Sequence, residues 1–302
     1  MRHLLLAKDK EGEHDMYIQL LITGVSMGML YALMAMGLIL IVKAVGVLNF
    51  AHGQLFMLGG YLTWMLTYQL HLPVWGVAIF GLVCFAICGA AYMFTVYWPL
   101  RSSPWKVTVT ISTLGASIAL KEIVRLIWGS VPLTMEPIVE GVTHIGSAYF
   151  NNQYVLILVI GGGLMLGVYI LFEKTFIGKI MQATAQDRYA SNLIGIPTIV
   201  AISGTYMVSM CLSGVGGWLA SPLFLVSQSL GSMAQKAFAG IVLGGFGSVK
   251  GAVVGCILIG LIESFSILIT DSYRDAIVFF VLIVVLVIRP TGIFGEKIQE
   301  KA

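Results

Sequence analysis

The sequence predicts an all-α fold: a polytopic membrane helical bundle of about seven full spans plus a short-helix pair, with interrupted helices. Three observations carry this expectation. First, 58% of the 302 residues are hydrophobic and only 10% are charged, where an ordinary soluble domain carries about 25% charged residues; mean hydropathy is +0.95. Second, apolar runs recur at the length a helix needs to cross a hydrocarbon core of about 30 Å, whereas the strands of a membrane barrel would alternate polar and apolar residues. Third, 35 residues are glycine, well above the usual share of about 7%, as expected where membrane helices approach closely.

Taken in order, residues 1–16 are charged and read as an N-terminal extension, with Met16 an alternative start, and 17–295 form the transmembrane domain. Continuous spans are expected at 17–42, 74–98, 107–129, 154–172, 199–225 and 276–288. Segment 44–70 is also apolar but is broken by Asn49-Phe50-Ala51-His52-Gly53. Segment 235–269, broken by the glycine-rich run 244–251, is too long for one crossing and short for two, and reads as two short helices turning near Lys250. Residues 296–302 form a C-terminal tail.

Orientation follows from the basic residues, which favour the cytoplasmic side. With the N-terminus outside, the inner segments hold Lys43, Arg101, Lys106, Lys174, Lys179, Arg188, Lys250, Arg289, Lys297 and Lys301. The outer segments hold Arg2, Lys8, Lys10, Lys236 and Arg274, and the loop 130–153 holds none. The tail is therefore cytoplasmic. Loops 130–153 and 173–198 are the longest polar stretches, and neither is long enough to enclose a core of its own.

Several function classes are excluded. A net charge of +3 without a basic block argues against a nucleic-acid partner. Cys84, Cys88, Cys211 and Cys256 lie in apolar runs with no companion ligands and read as small buried hydrophobes, so no metal site is expected. Gly240 and Gly245 have the spacing of a phosphate-binding loop, but Phe246 stands where its lysine would be. No cofactor is expected on this chain. The spans carry no paired nucleophile and base, so the chain is not read as an enzyme.

The candidate functional residues are the polar groups and glycines that interrupt the apolar pattern. Asn49, Phe50, His52 and Gly53 mark a place where the backbone leaves helical geometry, which at membrane depth requires protein or a water-filled cavity to satisfy it. For His52 alone, hydrogen bonding between packed helices is the commoner role. Gly244, Gly245 and Gly247 permit a tight turn and close helix packing, and a place beside a pathway is the functional alternative. Lys121, Glu122 and Arg125 share one helical stretch and can pair near its outer end. Glu263, midway between Gly251 and the polar Thr270-Asp271-Ser272, is a candidate for coupling or for a partner contact. Residues 178–194 are helix-competent and end at Gly195; small Ala183, Ala185 and Ala190 beside polar Gln182, Gln186, Asp187 and Arg188 suit either a solvated connector or a helix that docks a cytosolic protein.

Four separated stretches, GVLNFAHGQLFMLGGYL, QATAQDRYASNLIGIPT, KAFAGIVLGGFGSVKGAVVG and VLVIRPTGIFG, closely resemble the LivH-type permease subunit of bacterial branched-chain amino-acid ABC importers. The resemblance runs in order from about Tyr17 to Gly295. It implies a multi-pass protein of the bacterial inner membrane, acting with a second homologous permease subunit, two cytosolic ATPases that bind the ATP, and a periplasmic substrate-binding protein. The implied cargo is leucine, isoleucine or valine, with urea or short amides as the alternative within the same importer class. An ion-coupled secondary transporter is the rival from the residues themselves, with Glu263 as its one strong carboxylate. Under the permease reading, Asn49, Phe50, His52, Gly53, Gly244, Gly245 and Gly247 line the translocation pathway. Gln182, Ala183, Ala185, Asp187 and Gly195 then belong to the ATPase-docking loop, where Gln182-Ala183-Thr184-Ala185 stands near the family's coupling motif without its glutamate.

Overall fold

The computed structural model describes residues 2–101, 103, 105–145 and 148–294. Among these the elements are α1 (Arg2–Val45), α2 (His52–Trp64), α3 (Val74–Tyr92), α4 (Lys106–Trp128), β1 (Val142–Ile145), β2 (Ala148–Asn151), α5 (Asn152–Lys174), α6 (Phe176–Gln186), α7 (Arg188–Leu193), α8 (Thr198–Ala220), α9 (Met233–Gly244), α10 (Val249–Ser266) and α11 (Arg274–Ile288). The expected cytoplasmic tail, 296–302, lies outside the described residues. Among the described residues, six helical segments are long and apolar enough to cross a membrane: Asp15–Val45, Val74–Leu100, Val107–Trp128, Asn152–Lys174, Thr198–Ala220 and Val249–Ser266. The span at Val74–Leu100 reaches that length because α3 continues through a π-helical segment, Met93–Tyr97, and a short 3-10 turn, Trp98–Leu100.

Three boundaries differ from the sequence expectation, each for a local reason. The break expected at 49–53 falls instead between Val45 and His52. Gly46, in the left-handed region at φ +68°, ends α1, and His52 and Gly53 are already helical. The turn expected near Lys250 occupies 245–248, where Gly245 and Gly247 have φ of +110° and +100°. The Ser248 side chain then caps α10 by accepting from the Gly251 N–H at 3.1 Å, which leaves Lys250 in the first helical turn. The single helix expected over 178–194 is two, because Asp187 adopts extended geometry (φ −150°, ψ 108°) and its carboxylate caps α7.

The chain divides into two compact units. One is drawn from the described residues of 1–32, 137–161 and 236–302. Its centre is α10, which carries a close-packed seam on each of two sides. Toward α9, a Cβ on Gly240 would lie 2.8 Å from the Cys256 Cα, and one on Gly255 would lie 2.6 Å from the Gly244 nitrogen. Toward α1, a Cβ on Gly28 would lie 2.6 Å from the Ile257 Cα. Backbones this close exclude any side chain and gain dispersion contacts that lipid cannot supply better. The Ser264 hydroxyl donates to the Leu20 carbonyl at 2.7 Å across the α1 seam.

The other unit comprises 33–136 and 162–235 and is built around α8, packed between α2 and α3. A Cβ on Gly59 of α2 would lie 2.5 Å from the Gly214 Cα, and one on Gly89 of α3 would lie 2.9 Å from the Met207 Cα. Tyr92, Tyr97 and Tyr206 form an aromatic cluster beside this seam, with the ring of Tyr206 6.1 Å from Tyr92 and 5.8 Å from Tyr97. The expected ion pair on α4 is present: Arg125 lies 3.4 Å from Glu122, both half-exposed.

Candidate functional site

The helix break in the second unit is held by polar groups. The Asn49 side-chain oxygen accepts from the Ala51 N–H at 3.1 Å and from the Tyr92 hydroxyl at 2.7 Å. His52 is fully buried, with Nε2 3.0 Å from the Met34 carbonyl and 2.8 Å from the Ser213 hydroxyl. It therefore joins α1, α2 and α8 as a packing hydrogen-bonder. The Phe50 N–H donates to Thr113 Oγ1 at 3.1 Å, while Phe50 is 48% exposed and is the large side chain of the break that other molecules can reach. Gly53 is required by close approach, because a Cβ there would meet the Gly231 carbonyl and lie 2.7 Å from the Ala234 Cβ.

In the first unit the glycine-rich turn is closed by a segment from much later in the chain. The N–H groups of Ile293 and Phe294 donate to the carbonyls of Leu243 and Gly244, each at 2.9 Å. These carbonyls end α9 and would otherwise lack helical partners. Gly292, at φ +75°, brings the chain against Gly245. Residues 289–294 thus act as a cap, a role that their sequence position does not reveal. Gly244 faces Gly251 directly, and Phe246 stacks edge-on against Phe238 with ring centres 6.5 Å apart.

Glu263 lies in the same unit and is nearly buried. Its Oε2 accepts from the Tyr31 hydroxyl at 2.7 Å and its Oε1 from the Lys236 ammonium at 2.6 Å. Lys236 also reaches Asp275 at 2.8 Å. The sequence alone places Lys236 in an outer loop, because the two partners are 27 positions apart on different helices and no periodicity links them.

The internal loop 173–198 is built on two caps. Thr175 accepts from the Gly178 N–H at 3.1 Å to start α6, and Asp187 accepts from the Ala190 N–H at 3.0 Å to start α7. Gly178 sits against the backbone of Leu171 and Phe172, and the Met181 side chain reaches Gly204 of α8. The Gln182 amide donates to the Phe172 carbonyl at 2.7 Å, so it braces the loop internally. Ala183 and Ala185 are half-buried and Gly195, at φ +82°, ends α7. Five large apolar residues of this loop, Phe176, Ile177, Tyr189, Leu193 and Ile194, are each more than half exposed, interspersed with exposed Glu173, Lys174, Lys179, Gln186, Asp187 and Asn192. Sequence reasoning passed over these five because it weighed the polar residues between them.

Residues 20–286 match the family described as branched-chain amino acid transport system / permease component. The chain belongs to this family. Among its relatives, the high-affinity branched-chain amino acid transport system permease protein LivH of Escherichia coli (strain K12) is 31% identical, over 94% of this chain and 97% of its own. The corresponding protein BraD of Pseudomonas aeruginosa is also 31% identical, over 94% of this chain and 98% of its own. A probable branched-chain amino acid transport permease, LivH of Methanocaldococcus jannaschii, is 25% identical over 88% of this chain and 89% of its own. A solved structure, PsaBC from Streptococcus pneumoniae in complex with Fab, superposes with a TM-score of 0.50 at 14% identity, covering 94% of both chains, and supports the fold. The permease is a multi-pass membrane protein of a transport family, which is not an enzyme class.

Proposed function

We propose that this permease forms the translocation pathway of an ATP-driven importer for leucine, isoleucine and valine in the bacterial inner membrane. The observation that carries the substrate reading is the 31% identity to LivH and BraD over 94% of the chain. In this reading the chain works with a second homologous permease subunit, two cytosolic ATPases and a periplasmic substrate-binding protein. The half-exposed Phe50 ring and the turn at Gly244, Gly245 and Gly247 face the pathway, while Asn49, His52 and Gly53 hold the break in shape. A passage lined mainly by apolar groups suits an apolar side chain and binds it weakly enough to let it leave.

The loop carrying Gln182, Ala183, Ala185, Asp187 and Gly195 receives an ATPase through the exposed face of Phe176, Ile177, Tyr189, Leu193 and Ile194. Burying such a face against a partner supplies about 25 cal/mol per Å² of apolar area. ATP-driven closure then moves the loop and changes which side of the pathway is open. The pairing of Glu263 with Lys236 weighs against the ion-coupled alternative, since its carboxylate is already neutralised by a cation of the same chain. The test is reconstitution: ATP-dependent leucine uptake that requires the second permease, both ATPases and the binding protein supports the proposal, and uptake by this chain alone under a sodium or proton gradient refutes it.

A further inference from the structure

We propose that Lys236 and Asp275 form an exchange site for the head group of a zwitterionic amino acid, in which the substrate carboxylate takes Lys236 from Asp275 and the substrate ammonium takes Asp275. This rests on the reading that the permease carries amino acids. The two bonds that Lys236 makes differ in kind. Glu263 is 9% exposed and is also held by the Tyr31 hydroxyl, so withdrawing the ammonium from it would strand a buried charge. The Asp275 side chain is 68% exposed, rehydrates easily, and forms the weak kind of bridge. Lys236 can therefore keep Glu263 while exchanging its second anion.

Lys236 lies in the first turn of α9 (Met233–Gly244), which continues directly from a 3-10 turn at Gln228–Ser232. At 12 residues α9 is too short to cross a bilayer, and short, interrupted helices are where transporters place polar substrate groups. Glu263 and Asp275 outnumber Lys236 by one negative charge, so an incoming zwitterion, having no net charge, completes two ion pairs without changing the balance. Ile267, one helical turn beyond Glu263 and 40% exposed, offers an apolar surface for the side chain.

The test uses the full importer reconstituted with its binding protein and ATPases. Asp275→Asn removes the exposed anion, and the double variant Lys236→Met/Glu263→Gln removes both buried charges so that neither is left unpaired. Each should lower leucine uptake by about tenfold or more while binding-protein-stimulated ATP hydrolysis stays near wild type. A cysteine at Ile267 should be protected from a charged thiol reagent by millimolar leucine, but not by 4-methylpentanoate or isoamylamine, and protection should vanish in the Asp275→Asn background. Wild-type uptake rates in Asp275→Asn would overturn the proposal, as would parallel loss of uptake and ATP hydrolysis, which marks a structural role. If the wild-type complex carries no leucine, the function proposed above fails instead.

Discussion

The Nε2 atom of His52 lies 3.0 Å from the Met34 carbonyl oxygen and 2.8 Å from the Ser213 hydroxyl. A carbonyl can only accept, so Nε2 carries a proton and the ring bridges two neighbouring helices. His52→Phe removes the ring's hydrogen bonds to both partners and adds volume at a tightly packed position, at a cost of about 1–3 kcal/mol. The variant should insert but unfold at lower temperature in a thermal melt of the solubilised protein, and Ser213→Ala should show a smaller shift.

The glycine seam of α9 and α10 makes a sharper demand. A Cβ on Gly255 would fall 2.6 Å from the Gly244 nitrogen, so Gly255→Leu forces the two helices apart and costs about 1–3 kcal/mol or more. Gly245→Leu strains a backbone at φ +110°. Both should abolish transport, measured as ATP-dependent uptake. Gly163→Ala on α5, where a Cβ meets nothing within 4 Å, should leave the chain's own fold unchanged.

The long apolar runs made the membrane bundle legible, because a 20-residue hydrophobic helix has few alternatives. The interrupted helices were legible too, since Asn49, His52 and the glycines around 244–251 stand out from such runs. What pairs with what was not. Tyr31, Lys236 and Glu263 meet from three helices, and the Ile293 and Phe294 N–H groups cap α9 from beyond α11; hydrophobic periodicity identifies faces but not which faces meet. The split of 178–194 was concealed because an Asp is tolerated inside an exposed helix, so the cap preference of Asp187 does not by itself mark a break.

At the loop proposed to dock the ATPase, the expected contact is apolar. Tyr189→Asp or Leu193→Asp should uncouple ATP hydrolysis from uptake with normal insertion, whereas Gln182→Ala should act mainly through stability, its amide being bonded to Phe172. Asp187→Ala removes a helix cap worth about 1 kcal/mol and should reduce coupling partially. Co-purification of the ATPase with each variant separates the two effects.

Membrane sidedness is set by the basic residues, and α5 (Asn152–Lys174) connects the loops that decide it. Single cysteines at Asn151 and Gln186, in a background without Cys84, Cys88, Cys211 and Cys256, should react with an impermeant thiol reagent from opposite sides. Reaction of both from the same side would contradict the span assigned to α5.

Under the proposed function, this chain carries branched-chain amino acids only as part of an ATP-driven complex. The most direct measurement is uptake of radiolabelled leucine, and separately of urea, into proteoliposomes containing this permease with and without its second permease, both ATPases, ATP and the binding protein. Leucine uptake is expected in the complete system alone, competed by isoleucine and valine but not by urea. Uptake by the isolated chain under an ion gradient, or ATP-dependent uptake of urea without leucine, would contradict it.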